Sequence, residues 1–267
     1  MIEDDPARRL TDALSTEALG RPLRHYPIAL TTEALALAWA RQEEGPEGAT
    51  VVADQEVAPR QRKGPPWVPF AGRGLYFSIV LRPSLQPDAE GLLWLLASLA
   101  AAEGLSDVLR SEVSIKWPDD LLVGDRKIGG VKVVSQLGPA QIVSAILTFR
   151  VNLDVQADDL PPELQGVATS ARMQTGETVP RERALDAILR RLEERYDDDL
   201  QHLLEDYRRR CETLGRQVRA LLLPRGEIVG RAGAVDQGGS LVIEVGTTKK
   251  PVPVGILKKL ETINPRS

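Results

Sequence analysis

Ser114-Ile115-Lys116-Trp117-Pro118-Asp119-Asp120-Leu121-Leu122-Val123-Gly124-Asp125-Arg126-Lys127-Ile128-Gly129-Gly130-Val131-Lys132-Val133-Val134 is the stretch on which the reading of this chain turns. Val113 and Ile115 lead into a short strand, and Pro118 ends it because proline brings no N–H to a ladder. Leu121-Leu122-Val123 restarts extended structure. Gly124-Asp125 lies between two apolar runs and reads as a two-residue hairpin turn. A third strand over 128–134 follows, headed by Gly129-Gly130. Between the first two strands stand a cation, a large aromatic, a proline and two acids, from Lys116 to Asp120. Such a group suits a nucleotide site, where the lysine meets a phosphate or a substrate carboxylate and an acid holds Mg²⁺. An exposed turn with a surface salt bridge uses the same residue types, and spacing alone does not separate the two.

Composition narrows the class. At 267 residues, one domain of ordinary size plus a smaller one is expected, with room for a sizeable core. Hydrophobic residues at 42% and charged residues at 27% are those of a globular chain. The net charge of −4 provides no general basic field for nucleic acid. Cys211 is the single cysteine, which excludes an intramolecular disulfide or a cysteine-cluster metal centre and fits a reducing compartment. With only His25 and His202 as imidazoles, a histidine-rich zinc site is excluded as well. The opening Met1-Ile2-Glu3-Asp4-Asp5-Pro6 is acidic and has no apolar core, so no secretory signal is expected there. The longest apolar-rich run, 92–102, is short for a bilayer. A soluble, cytoplasmic protein that binds neither nucleic acid nor membrane is the expectation.

Along the chain, 7–19 opens as a helix, 24–30 reads as a strand, and a threonine caps a helix over 34–42. Strands follow over 49–53 and 74–81, the second with Leu75, Phe77 and Ile79 on one face. Between them, 55–69 is polar, basic and proline-rich. Its three cations within four residues, Arg60, Arg62 and Lys63, suit a polyphosphate clamp, as they equally suit a solvated loop. Leucines surround a helix over 88–102, which marks it as buried. A strand over 141–155 runs into Asn152-Leu153-Asp154. A short helix near Thr169-Ser170 precedes one long helix from Pro180 to about Cys211, with apolar residues recurring at three and four. From Gly215 onward short strands alternate with glycine turns over 217–223, 226–235, 240–245 and 251–257, the pattern of a small SH3-like barrel.

Lys116-Trp117-Pro118-Asp119-Asp120, the hairpin after it and Lys127-Ile128-Gly129-Gly130 together resemble the core of the biotin protein ligases. The resemblance runs from about His25 to the end of the chain. It implies an α/β (α+β) fold: a mixed-sheet biotin/lipoate ligase catalytic domain over 1–213 and a small C-terminal SH3-like β-barrel over 214–267. It further implies that ATP, with Mg²⁺, converts biotin to biotinyl-5′-adenylate, and that the biotinyl group passes to a lysine of a biotin carboxyl carrier protein domain. The chain has no room for the N-terminal DNA-binding domain of some members and so resembles the monofunctional class. Homodimers through sheet edges occur in the family.

Residue by residue, the family's Ser-Thr-Asn falls on Thr31-Thr32-Glu33, and its glycine- and arginine-rich adenylate loop falls on 56–67. There Arg60, Arg62 and Trp67 match. Glu56 stands for a glutamine, Pro59 and Gln61 for glycines, and Pro65 for the outer arginine. Proline fixes φ and removes an N–H in a loop that orders over the adenylate. Glu56 puts a charge where an amide would meet the biotin ring. The family's Gly-(any)-Gly-Ile-Asn falls on Thr148-Phe149-Arg150-Val151-Asn152, which keeps only the asparagine.

The resemblance therefore implies Lys116 and Arg62 as catalytic residues. Thr31, Thr32, Glu33, Glu56, Arg60, Gln61, Arg62, Lys116, Gly129 and Gly130 fall on biotin-binding positions. Arg60, Arg62, Trp67, Asp120 and Asn152 fall on ATP-binding positions, and no residue falls on a metal-ligand position. Two other readings stand beside a biotin ligase: a non-catalytic ligase-like protein that binds a carrier domain or a small acid, and a ligase for another carboxylic acid such as lipoate or octanoate.

Overall fold

The computed structural model describes residues 5–42, 45–59, 68 and 70–263. Helix α1, Pro6–Asp12, starts at Asp5, whose carboxylate accepts from the Ala7 amide. It is shorter than the helix expected over 7–19. The chain leaves it to lay the amides of Glu17, Ala18 and Leu19 against the Glu193 carboxylate, at 2.8–2.9 Å. Burial alone would raise the pKa of Glu193. The three backbone donors more than offset it and hold the group below the ordinary carboxylate range.

Strand β1 (Leu23–Ala29), helix α2 (Thr32–Gln42) and strand β2 (Thr50–Glu56) form a crossover, so β1 and β2 pair in parallel. As expected, a threonine caps α2: the Thr31 hydroxyl accepts from the Ala34 amide at 3.0 Å. The later strands pair antiparallel: β3 (Gly74–Leu81), β4 (Ser114–Lys116), β5 (Asp120–Val123), β6 (Arg126–Leu137) and β7 (Ile142–Asn152). Together they make one mixed sheet in the order β1-β2-β3-β7-β6-β5-β4.

Alternation along β7 puts Leu147, Phe149 and Val151 on one face and Thr148, Arg150 and Asn152 on the other. The first face is the core: Phe149 stacks on Phe77 at 4.5 Å between ring centroids. Helix α3, Glu90–Leu109, covers it. By length and apolarity α3 matches a membrane span, but 89% of its apolar window is buried inside the molecule, as befits a core helix. On the opposite face α2 covers one half, with Ala36 and Trp39 against Val51, Val80 and Ile146. Among the described residues, the other half of that face is left open to a cleft.

The short helix α4 (Ala171–Thr175) starts at Ser170 as expected, but the helix expected as one from Pro180 to Cys211 is two, α5 (Arg181–Tyr196) and α6 (Leu200–Arg210). Aspartates make the break. Asp198 accepts from Arg195 within the last turn of α5, and Asp199 caps α6 by accepting from the Gln201 amide at 2.7 Å. The apolar repeat ran through the break because both helices bury the same stripe. Helix α5 packs on α3 at Gly104, where an added Cβ would lie 2.7 Å from the Ala187 carbonyl. Gly104→Ala is therefore expected to destabilise the protein by about 1–3 kcal/mol through overpacking. Thermal unfolding reads this directly, and an unchanged Tm would mean that the two helices separate without cost.

The C-terminal unit is a five-stranded antiparallel sheet: β8 (Gln217–Leu222), β9 (Glu227–Val235), β10 (Leu241–Val245), β11 (Thr248–Val252) and β12 (Leu257–Thr262), in the order β11-β10-β9-β8-β12. The strand expected over 251–257 is divided, because a 3₁₀ turn at Val254–Ile256 ends one strand and starts another. Asp236 holds the Gly238-Gly239 turn by accepting from the amides of Gly238 and Ser240. That turn sits on Gly91 of α3, so close that a Cβ there would lie 2.1 Å from the Gly238 carbonyl oxygen.

Candidate functional site

The open half of the large sheet is the floor of a cleft of about 770 Å³. Gly130 and Lys132 of β6 and Arg150 and Asn152 of β7 lie along it. The turn from Lys116 to Asp120 forms one side, and Arg216, Lys258 and Lys259 of the C-terminal sheet reach it from another.

Trp117 fixes that turn and is itself an anchor. Its side chain is buried, its amide donates to Thr213 Oγ1 at 2.9 Å, and its indole N–H donates to the Gly239 carbonyl at 3.1 Å. The Pro118 carbonyl accepts from Ser98 of α3 and Tyr207 of α6. With the aromatic buried between the two sheets, its neighbours face the cleft. Lys116 lines the cleft and makes no side-chain hydrogen bond or ion pair with a described residue. Asp120 accepts from Lys127 across the β5–β6 hairpin. Glu212, also on the cleft, has its pKa raised by burial despite the pull of Arg216 and Lys116.

Under the floor runs a chain of buried polar contacts. Arg150 Nε donates to Glu56 Oε2 at 2.6 Å. Glu56 Oε1 accepts from the Thr32 amide at 2.7 Å and the Thr32 hydroxyl at 2.9 Å. Ser78 links Thr32 to Thr148, both at 2.8 Å. The charge that Glu56 brings is thus compensated by Arg150, and these two departures from the family pattern are partners. Two buried polar atoms are left without a partner among the described residues on this strand: Arg150 Nη2 and Asn152 Oδ1. The other end of the Asn152 amide is engaged, donating to the Thr169 carbonyl at 3.0 Å.

Of the residues expected from sequence, Lys116, Asp120, Gly130 and Asn152 line this one cleft. Others are near it but are not lining residues. Thr31 caps α2, Thr32 and Glu56 hold Arg150 from behind, and Glu33 pairs with Lys132 at 2.7 Å. Gly129 serves packing: a Cβ there would lie 2.7 Å from the Arg150 carbonyl oxygen, so glycine lets β6 approach β7. Arg60, Gln61, Arg62, Pro65 and Trp67 lie outside the described residues. Lys132, Arg216, Lys258 and Lys259 were not expected. Lys132 was legible in principle, since it follows Gly130 by two along a strand. The C-terminal cations reach the cleft only through contacts between distant parts of the chain, for which local pattern carries no signal.

Comparison with known proteins gives a consistent result. Residues 28–152 match the model of the biotin/lipoate A/B protein ligase family. The bifunctional ligase/repressor BirA of Bacillus spizizenii is 32% identical over 235 residues, covering 86% of this chain and 72% of that protein. The biotin–[acetyl-CoA-carboxylase] ligase of Mycobacterium tuberculosis is 30% identical, covering 84% of each. Among solved structures, the biotin protein ligase from Aquifex aeolicus in complex with biotin and ATP superimposes with a TM-score of 0.76 at 23% identity, over 91% of this chain and 100% of that one.

Proposed function

Because the chain belongs to the biotin protein ligase family, we propose that this cleft activates biotin with ATP and passes the biotinyl group to a lysine of a carboxylase carrier domain. The observation that carries the reading is Lys116: a cation with no hydrogen-bond or ion-pair partner among the described residues, held beside the Trp117 anchor in a cleft with Asp120 and Asn152. In the first step a biotin carboxylate oxygen attacks the α-phosphorus of ATP. A carbon–oxygen–phosphorus link forms, the α–β phosphoanhydride breaks, and pyrophosphate leaves. Lys116 first holds the carboxylate and then stabilises the negative charge that gathers on the phosphoryl oxygens. In the second step the acceptor amine attacks the acyl carbon, an amide forms, and AMP leaves with the electron pair.

The rest of the cleft divides between the two substrates. Phe70, Leu160 and Leu164, one packed apolar cluster, offer apolar surface to the carbon chain of the acid. Arg216, Lys258 and Lys259 set a positive rim for the polyphosphate. Asn152 Oδ1, without a partner among the described residues, is the acceptor left for the nucleoside. Magnesium, when bound, neutralises charge on the phosphates. The described residues hold no group of three or more histidine, cysteine, aspartate or glutamate side chains suited to a metal, and Asp120 is engaged with Lys127. The ion would thus be carried mainly by the phosphates and water, with Asp119 among the carboxylates that line the cleft able to take part, an arrangement usual for Mg²⁺. The edge strand β1, with Ile28 and Leu30 exposed beside it, is the surface a homodimer would pair. The single, buried Cys211 and the ATP requirement fit a cytoplasmic setting.

The test is biotin transfer. Incubated with ATP, Mg²⁺ and a carboxylase carrier domain, the protein is expected to add one biotinyl mass to the carrier by intact mass spectrometry. A folded protein that neither modifies the carrier nor releases pyrophosphate with biotin would be a binding protein on a ligase fold.

A further inference from the structure

Arg150 is a group for which the reaction above has no task. It is 5% exposed, lies on the cleft floor, and is held at one nitrogen by a carboxylate that is fully buried. Glu56 cannot turn away, because its second oxygen is bound by both the amide and the hydroxyl of Thr32. The planar guanidinium is therefore fixed in direction by its own Nε. Its Nη2 is buried at the cleft floor and has no acceptor among the described residues. A buried charged donor without an acceptor is destabilising, and native structures rarely keep one without a use.

The charges around it say what acceptor fits. Glu56 neutralises Arg150, and Glu33 neutralises Lys132 on the adjacent strand. Among the described residues this end of the cleft has no surplus positive charge for a second anion, so the acceptor that fits them is an uncharged carbonyl oxygen. Lys116, which has no hydrogen-bond or ion-pair partner among the described residues, sits on β4, three strands from Arg150 on β7. That is roughly 14 Å between backbones, from which both long side chains reach the same cleft. A ligand with a carboxylate at one end of a pentanoate chain and a ureido carbonyl at the other matches that polarity.

Resting on the biotin-ligase reading, we propose that Arg150 is a specificity-determining residue of this chain: its Nη2 donates to the ureido carbonyl oxygen of biotin, and Glu56 sets its direction. The residue that stands where the family pattern has glycine would then read the substrate instead of obstructing it.

Calorimetric titration with biotin, desthiobiotin, octanoate and ATP tests this on the whole protein. The variant Arg150→Met/Glu56→Gln removes both charges and leaves no lone buried ion, and Arg150→Lys keeps the charge without the fork. Either variant is expected to raise the Kd for biotin and desthiobiotin about ten- to hundredfold, the value of a hydrogen bond from a charged donor. The Kd for octanoate, which has the carboxylate and no ureido carbonyl, and for ATP should stay within about threefold, since those contacts lie elsewhere. Unchanged biotin binding in both variants overturns the assignment, and so does a loss that falls equally on octanoate or falls on ATP instead. If the double variant does not fold, Arg150→Lys decides alone. Absence of biotin binding by the unaltered protein would instead defeat the ligase reading itself, and the assignment with it.

Discussion

Lys116→Ala is expected to lower biotin-dependent adenylate formation by at least about 10²–10³-fold, the cost of removing one preorganised donor from a developing anion. Lys116 is half-buried, lines the cleft, and supports no described neighbour by hydrogen bond or ion pair. Its loss should therefore leave stability within about 0.5 kcal/mol of the unaltered protein, as for a substitution away from structural features. Pyrophosphate exchange and a thermal melt on the same sample check both halves. A large loss of rate with the same Tm assigns Lys116 to the chemistry. An unchanged rate would remove it from the reaction, and a fall in Tm would mean that it braces the Trp117 turn.

Glu56→Ala should produce the larger effect on stability. It leaves Arg150 buried with no counter-charge, and breaking one half of a buried pair costs about 3–5 kcal/mol. For a protein of this size that corresponds to a Tm lower by roughly 6–20 °C. Thr32 also loses the acceptor for its amide and hydroxyl, so the start of α2 loosens along with the cleft floor. Glu56→Gln/Arg150→Met should recover most of the loss, because an uncharged pair of similar volume needs no compensation. If Glu56→Ala alone melts like the unaltered protein, water reaches Arg150 and the pair is not buried in solution.

Much of the molecule was legible in local pattern. The strand, turn and hairpin from Ser114 to Val134, the β7 strand ending at Asn152 and the alternating C-terminal strands are set by proline, glycine and the two-residue period, which act over a few residues. The position of Lys116 at a strand end follows from the same signals. The break between α5 and α6 was missed, because an apolar stripe shared by two helices has one period and only the Asp198 and Asp199 bonds divide it. The role of Trp117 was not legible in local pattern: the structure buries it as an anchor, bonded to Thr213 and to the Gly239 turn of the C-terminal sheet.

By itself, then, the sequence determined the two sheets, the family and the chemistry-bearing turn. The tertiary structure decided what Glu56 and Arg150 are to each other. They are separated by 94 positions, and read singly each looks like damage: a charge in an apolar pocket and a bulky cation in place of glycine. The cost of burying a charge depends on what stands within about 3 Å of it, and sequence distance carries no information about that. Only the pairing of β3 with β7, and of β2 with β3, brings the carboxylate and the guanidinium together.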